Sequence, residues 1–341
     1  VTVQFDNLLR VPGAVTLAGV PEGYDALVLA ELVKKRGEIL HVARDDARLA
    51  RLAEAVAMFA PDVEVLSFPA WDCVPYDRVS PHVEIVGRRI DTLSRLAMAD
   101  RKERPRLVIA TVSAVLQRVP RADMFRQCCF MVAVGQSLDM AALQGFLQRN
   151  GYSRADTVME PGEYALRGGI VDLFPPGAAE PLRLDLFGDD VEQIRVFDPM
   201  SQRSTGTLKG FSLRPASEVA LDDASVQRFR ANYRELFGAV SGDDPLYQAV
   251  SSGVKFGGME HWLPLFHEGL DTLFAYLPDA PVTLDQQVDE ACKARFELID
   301  EYFEARQSIQ RQGLTEAGMV YHPLPPAMLH LTREEWARSV A

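Results

Sequence analysis

The stretch Gly19-Val20-Pro21-Glu22-Gly23-Tyr24-Asp25-Ala26 lies between Ala14 to Ala18, which reads as a strand, and Tyr24 to Lys35, which reads as a helix. Strand, glycine-containing turn and helix in that order form the setting of a phosphate-binding P-loop. Such a loop needs glycines that let backbone N–H groups approach phosphate, a lysine for the β- and γ-phosphates, and a hydroxyl for Mg²⁺. Registered on Gly19, the lysine position carries Asp25 and the hydroxyl position Ala26, while Pro21 removes an N–H and Glu22 adds negative charge. No Gly-Lys dipeptide occurs in the chain. A carboxylate facing phosphate repels it, so these residues invert the site rather than weaken it. Gly19, Gly23, Asp25 and Ala26 therefore mark a degenerate, non-functional nucleotide site on a P-loop-like α/β scaffold.

Outward from this turn the strand and helix signals keep alternating. Ile39 to Ala43, Val63 to Phe68 and Leu107 to Val112 read as strands. Asp45 and Asp46 are placed to cap a helix whose Leu49, Leu52, Val56 and Phe59 recur at helical spacing, and another helix covers roughly Val83 to Leu96. The expectation is a doubly wound parallel sheet. From Met131 to Leu213 the texture changes to short alternating strands broken by Pro-Gly, Gly-Gly and Gly-Asp-Asp turns, with one helix near Met140 to Asn150. This predicts a small inserted α+β domain dominated by antiparallel sheet. Helices return after Pro215: Asp223 to Phe237, with Val226, Phe229, Tyr233 and Leu236 on one face, and Val288 to Arg311. A strand-like segment at Pro281 to Leu284 is expected to complete the first sheet. The expected domains are thus residues 1–127, an insert over 128–213, and a returning segment over 214–341.

Composition narrows the chemistry. The 341 residues are 48% hydrophobic, enough for packed cores, and carry a formal charge of −12, which works against wrapping a phosphate backbone. No apolar run approaches the ~18 residues a membrane helix needs and no signal peptide is visible, so a cytoplasmic, membrane-free location is expected. The start at Val1 and the stop within the helix-like segment Arg333 to Ala341 lead to the expectation of a fragment of something longer. Cys73, Cys128, Cys129 and Cys292 have no Cys-x-x-Cys spacing and read as buried free thiols. The six histidines are scattered, without His-Glu-x-x-His or a nearby Gly-x-Ser-x-Gly elbow. Asp289-Glu290-Ala291-Cys292 looks like a Mg²⁺-binding string but sits in helix-forming sequence. No catalytic residue, metal or cofactor is expected.

Leu182 to Phe187 alternates cleanly, which sends Leu182, Leu184 and Leu186 to a core and Arg183, Asp185 and Phe187 to the opposite face. An aromatic beside an arginine is a combination enriched at interface hot spots. Two arrangements fit: a docking face, or Phe187 tucked in at the strand end with Arg183 paired to a neighbouring carboxylate. Glu163 to Asp198 holds eight acidic residues and three arginines, Arg167, Arg183 and Arg195. Isolated arginines in such surroundings suit bidentate pairing with carboxylates better than tracking of phosphates. Gly168 and Gly169, after Arg167, mark a bulge, a close backbone approach or a plain turn.

Several strings carry a resemblance: Trp71-Asp72-Cys73-Val74-Pro75-Tyr76-Asp77, the run from Gly162-Glu163-Tyr164 through Phe174-Pro175, Arg183 to Phe187, Arg195-Val196-Phe197-Asp198 and Gly258-Met259-Glu260-His261-Trp262. Through them, from about Trp71 to Leu277, the chain resembles the N-terminal UvrB-homology region of bacterial transcription-repair coupling factors, the Mfd family, and the degenerate P-loop extends the likeness to Ala14. The resemblance implies an arrangement like UvrB domains 1a, 2 and 1b, with the middle domain docking the excision-repair subunit UvrA through positions matched here by Arg167, Arg183 and Phe187. It implies that RNA polymerase and DNA are engaged by regions outside this chain, and that the rest of such a polypeptide masks the docking face. The chain lacks UvrB's ATP residues and has no Tyr-rich insertion after Pro75-Tyr76-Asp77, where UvrB carries its DNA-gripping hairpin. The expected function is a non-catalytic docking module; the alternative is a DNA-binding or residual nucleotide-binding element of a repair ATPase.

Overall fold

A computed structural model describes residues 13–98, 104–240, 244–311 and 321–341. The principal elements in chain order are α1 (Tyr24–Arg36), β1 (Glu38–Ala43), α2 (Asp46–Phe59), β2 (Glu64–Phe68), α3 (Val83–Met98), β3 (Arg106–Thr111), α4 (Met140–Arg149), β4 (Glu163–Arg167), β5 (Ile170–Leu173), β6 (Leu182–Phe187), β7 (Asp190–Phe197), β8 (Ser204–Leu208), α5 (Asp223–Phe237), β9 (Val282–Leu284) and α6 (Val288–Arg311).

Four of these strands make a parallel sheet in the order β9-β1-β3-β2. Strand alternation divides its side chains between two cores. Leu40, Val42, Leu66, Phe68, Val108 and Ala110 pack with α3 and α6, whereas Ile39, Ala43, Leu107 and Ile109 pack with α1 and α2. Helices thus cover both faces, an α/β layering. The late strand β9 joins beside β1, with Leu40 opposite Val282. Asp45 caps α2, accepting the Arg48 backbone N–H at 2.7 Å.

Two expectations need correction. Ala14 to Ala18 forms no strand and is exposed throughout. A strand buried on both faces needs apolar bulk on both, and here Val15 and Leu17 share one side while Ala14, Thr16 and Ala18 offer little on the other. Cys129 is exposed, and only Cys292 is fully buried.

The second sheet has six strands, ordered β8-β7-β6-β5-β4 and then Ser153–Arg154, antiparallel except for the last pairing. α4 covers one face, where Leu143, Phe146 and Leu147 meet Tyr164, Val171, Leu173, Leu182, Leu184 and Ile194. Gly168-Gly169 is a two-residue hairpin turn between Arg167 and Ile170, with Gly168 at φ +58. A Cβ on Gly169 would lie 2.9 Å from the Leu186 carbonyl oxygen, so the pair is both a turn and a close approach.

The two sheets meet on α3. Gly87 lets that helix approach the Pro175-Pro176-Gly177 loop, since a Cβ there would lie 2.9 Å from Pro176 Cβ, and Arg214 donates to Asp91 at 2.6 Å. The string around His261 packs on the segment after β2: His261 meets Trp71 edge-on, and Ser80 donates to Glu260 at 2.7 Å. A Cβ on Gly258 would collide with the Arg78 carbonyl carbon at 2.7 Å.

Candidate functional site

The face of the second sheet opposite α4 holds the outward-pointing residues. Register sets them in rows across the strands: Ala165, Asp172, Arg183 and Arg195 stand opposite one another on β4 to β7, and Ile170 and Asp185 follow in the next row beside Arg167. Arg167 is therefore on the strand next but one to Arg183, not on a neighbouring one, and β5 lies between them.

Asp172, on that intervening strand, joins the two. Its carboxylate is 0% exposed and accepts Arg183 Nε at 2.6 Å and Nη2 at 2.8 Å, with Arg167 Nη2 donating to the same Oδ2. Arg183 also lies over the Phe197 ring, 4.6 Å from its centroid, and Nη2 reaches Gln202 Oε1 at 3.2 Å. The hydrogen bonds to Asp172 hold the Arg183 guanidinium above its ordinary pKa. Gln202 occupies a left-handed turn position at φ +59 and anchors its amide on the carbonyls of Pro199 (2.7 Å) and Val158 (3.2 Å). One row nearer the hairpin end, Arg195 grips Asp185 with Nε at 2.6 Å and Nη2 at 2.5 Å.

Phe187 ends β6 on this face with 80% of its surface exposed, so it does not tuck in at the strand end. Arg183, at 14% side-chain exposure, does pair with a neighbouring carboxylate; Arg167, at 49%, presents its remaining donors to solvent. Met159 and Met200, both exposed, add apolar surface near Gln202. Sequence reasoning missed Asp172, Phe197 and Gln202, the residues that fix Arg183. Only Asp172 left a signal, as a lone carboxylate between the core residues Val171 and Leu173.

In the turn before α1, the Asp25 carboxylate binds backbone N–H groups much as an anion would. Its Oδ1 accepts the backbone N–H of Gly23 at 3.0 Å and of Ala26 at 2.8 Å, at the N-terminus of α1. Its Oδ2 accepts Arg48 Nη2, and Arg48 Nε donates to Asp285 at 3.0 Å, just past the end of β9. His41 lies beneath this ladder within 2.9 Å of Thr283 Oγ1, and burial pushes its pKa down to about 4 against the pull of Asp285. Gly19 stands apart in an exposed turn with open space around it. Asp289 and Glu290 lie in the first turn of α6.

Elsewhere, Cys73 Sγ lies 3.7 Å from His261 Nε2, but burial raises the thiol to about 12 and lowers the imidazole to about 4. A thiolate–imidazolium nucleophile does not form under those conditions. Among the described residues no group of three or more His, Cys, Asp or Glu is placed to hold a metal ion, and no helix is long and apolar enough to cross a membrane.

Residues 130–219 match the family described as the UvrB interaction domain. The chain is 33% identical over 297 residues to the transcription-repair-coupling factor of Haemophilus influenzae, covering 87% of this chain and 25% of that protein. It is 35% identical over 274 residues to the transcription-repair-coupling factor of Escherichia coli K12 (80% and 23%), and 25% identical over 290 residues to that of Bacillus subtilis (80% and 24%). The chain spans about a quarter of the length of these relatives.

Proposed function

Because this chain carries a UvrB interaction domain and is similar through most of its length to transcription-repair coupling factors, we propose that it is a non-catalytic module that docks UvrA during transcription-coupled repair. The observation that carries the reading is Phe187, a large aromatic left 80% exposed at the end of β6, on the same face as Arg183 and Arg167. Exposing such a ring forgoes roughly 2 kcal/mol of burial, which partner contact restores. Arg167 supplies free donors for a partner carboxylate, and Arg183 stiffens the face. The first sheet is read as a P-loop NTPase-like scaffold, UvrB domain 1a-like and 1b-like, around a UvrB domain 2-like insert. Its Asp25–Arg48–Asp285 ladder supports a scaffold without nucleotide turnover. Polymerase and DNA contacts are assigned to regions outside this chain, and the rest of such a polypeptide is assigned the masking of the docking face at rest.

The experiment is a calorimetric titration of purified UvrA into the chain and into Phe187→Ala and Arg167→Ala, with thermal unfolding of each. Loss of binding by at least tenfold at unchanged melting temperature supports the reading. Equal affinity of both folded variants and the parent chain removes it.

A further inference from the structure

We propose that Asp172 is the positioning residue of the docking face, holding the Arg167 and Arg183 guanidinia in the orientation a partner carboxylate reads; this rests on the docking function proposed above. Asp172 is fully buried, so it touches no partner itself. Both its oxygens are used inward, two contacts to Arg183 and one to Arg167, spanning three adjacent strands. The two arginines therefore share one anion. With its charge removed, they repel one another and regain the rotamer freedom that a long side chain surrenders on binding. Arg183 keeps Phe197 and Gln202 as further restraints, whereas among the described residues Arg167 has only Asp172 to fix it. Arg167 is also the more exposed of the two, so the loss falls on the group that faces the partner. The neighbouring pair Arg195–Asp185 is a built-in control: it has the same chemistry on the same face, but its carboxylate serves one arginine.

The partner chemistry that fits is a carboxylate for the free edge of Arg167, beside an apolar recess for Phe187. An anchored guanidinium offers a planar donor edge, which favours a bidentate carboxylate over a single hydroxyl.

UvrA affinity is measured for the parent chain, Asp172→Asn, Arg167→Ala and their double variant, with Asp185→Asn as control and Phe187→Ala as reporter of docking. All are held at a temperature where circular dichroism shows them folded. Asp172→Asn is expected to bind about tenfold more weakly, and Asp185→Asn within about twofold of the parent. In the Arg167→Ala background, Asp172→Asn is expected to add less than about threefold, because its effect passes through Arg167. General loosening of the sheet would instead multiply the two losses, which overturns the proposal. It also falls if Phe187→Ala and Arg167→Ala lose binding while Asp172→Asn keeps it, a result that leaves docking intact. If Phe187→Ala and Arg167→Ala both bind like the parent, docking itself fails and the positioning role with it. Should Asp172→Asn not fold, Arg183→Met/Asp172→Asn removes the buried charge together with its main partner. Its affinity is expected to lie at least threefold below that of Arg183→Met, and equality overturns the proposal.

Discussion

Arg89 on α3 and Glu218, in the segment returning from the second sheet, form an ion pair sealed from water, with side-chain exposures of 0% and 1% and an Nε–Oε1 distance of 2.5 Å. The guanidinium lies 4.3 Å from the Phe68 ring centroid, and Nη1 donates to the Pro69 carbonyl at 2.9 Å. His267 reaches the Glu218 carbonyl oxygen at 2.9 Å. One buried pair thus ties the parallel sheet, the exit from the second sheet and the later helices together.

Removing one member of this pair leaves the other charge buried and alone. Arg89→Met and Glu218→Leu are each expected to cost about 3–5 kcal/mol, while Arg89→Met/Glu218→Leu costs much less than the sum. Urea denaturation of the three variants checks this; additive losses would show that the two charges act independently.

Mg-ATP is expected to give no binding heat with micromolar protein at the turn before α1, because Asp25 and Arg48 already occupy each other. Asp25→Ala is expected to lower stability by about 1–2 kcal/mol through loss of its bonds to the Gly23 and Ala26 N–H groups at the start of α1, and to gain no nucleotide affinity, since the lysine and hydroxyl are still missing. Calorimetric titration and thermal unfolding of the same samples check both halves. Micromolar ATP binding abolished by changes in this loop contradicts the scaffold reading.

Three buried histidines are expected to make the fold acid-sensitive. Burial lowers His41 and His261 to about 4 and His330 to about 3, from an ordinary value of 6.5. In the window between, the unfolded chain binds protons that the folded chain refuses. The stability these groups confer is therefore complete above about pH 6.5 and declines as pH falls toward 4, by up to about 1.4 kcal/mol per pH unit for each. Glu260 and Asp46, whose carboxyls burial raises, act in the opposite direction. Urea midpoints from pH 7.5 to 5 are expected to drop, and His330→Gln to drop less steeply than the parent chain. An identical slope in that variant would show that His330 titrates normally in the fold.

Much of this architecture was legible because local chemistry decides it. Asp45 caps α2 by its type and place, the Val288–Arg311 helix runs over the span its pattern predicts, and Pro281 to Leu284 supplies the edge strand β9. Alternation gave the faces of Leu182 to Phe187, because a strand has only two sides. What was hidden depends on partners far along the chain. Nothing near Ala14 to Ala18 says that the sheet closes without it, and nothing near Arg183 says that Asp172, eleven residues earlier, already holds its fork. Composition misled in a related way. The net acidic charge of the Glu163 to Asp198 segment hides that its three arginines gather on one face, with Asp172 and Asp185 among them as their ion-pair partners.

That gathering changes the meaning of a charge reversal at Arg183. Read from alternation alone, Arg183→Glu would present the wrong charge to a partner and leave the core untouched. Arg183 instead neutralises a fully buried carboxylate, so a glutamate there meets Asp172 and leaves only Arg167 as a counter-charge. The expected cost is about 3 kcal/mol or more of stability, with partial rescue below about pH 5 as the new carboxyl takes up a proton. Phe187→Ala, by contrast, removes an exposed ring and is expected to shift the melting temperature by less than about 2 °C while weakening UvrA binding roughly 30-fold. Thermal unfolding at pH 7.5 and 5, paired with UvrA titration at 20 °C or below, separates the two effects. If Arg183→Glu melts like the parent chain at both pH values, Asp172 does not depend on Arg183, and the buried pairing described for this face is not the dominant interaction there.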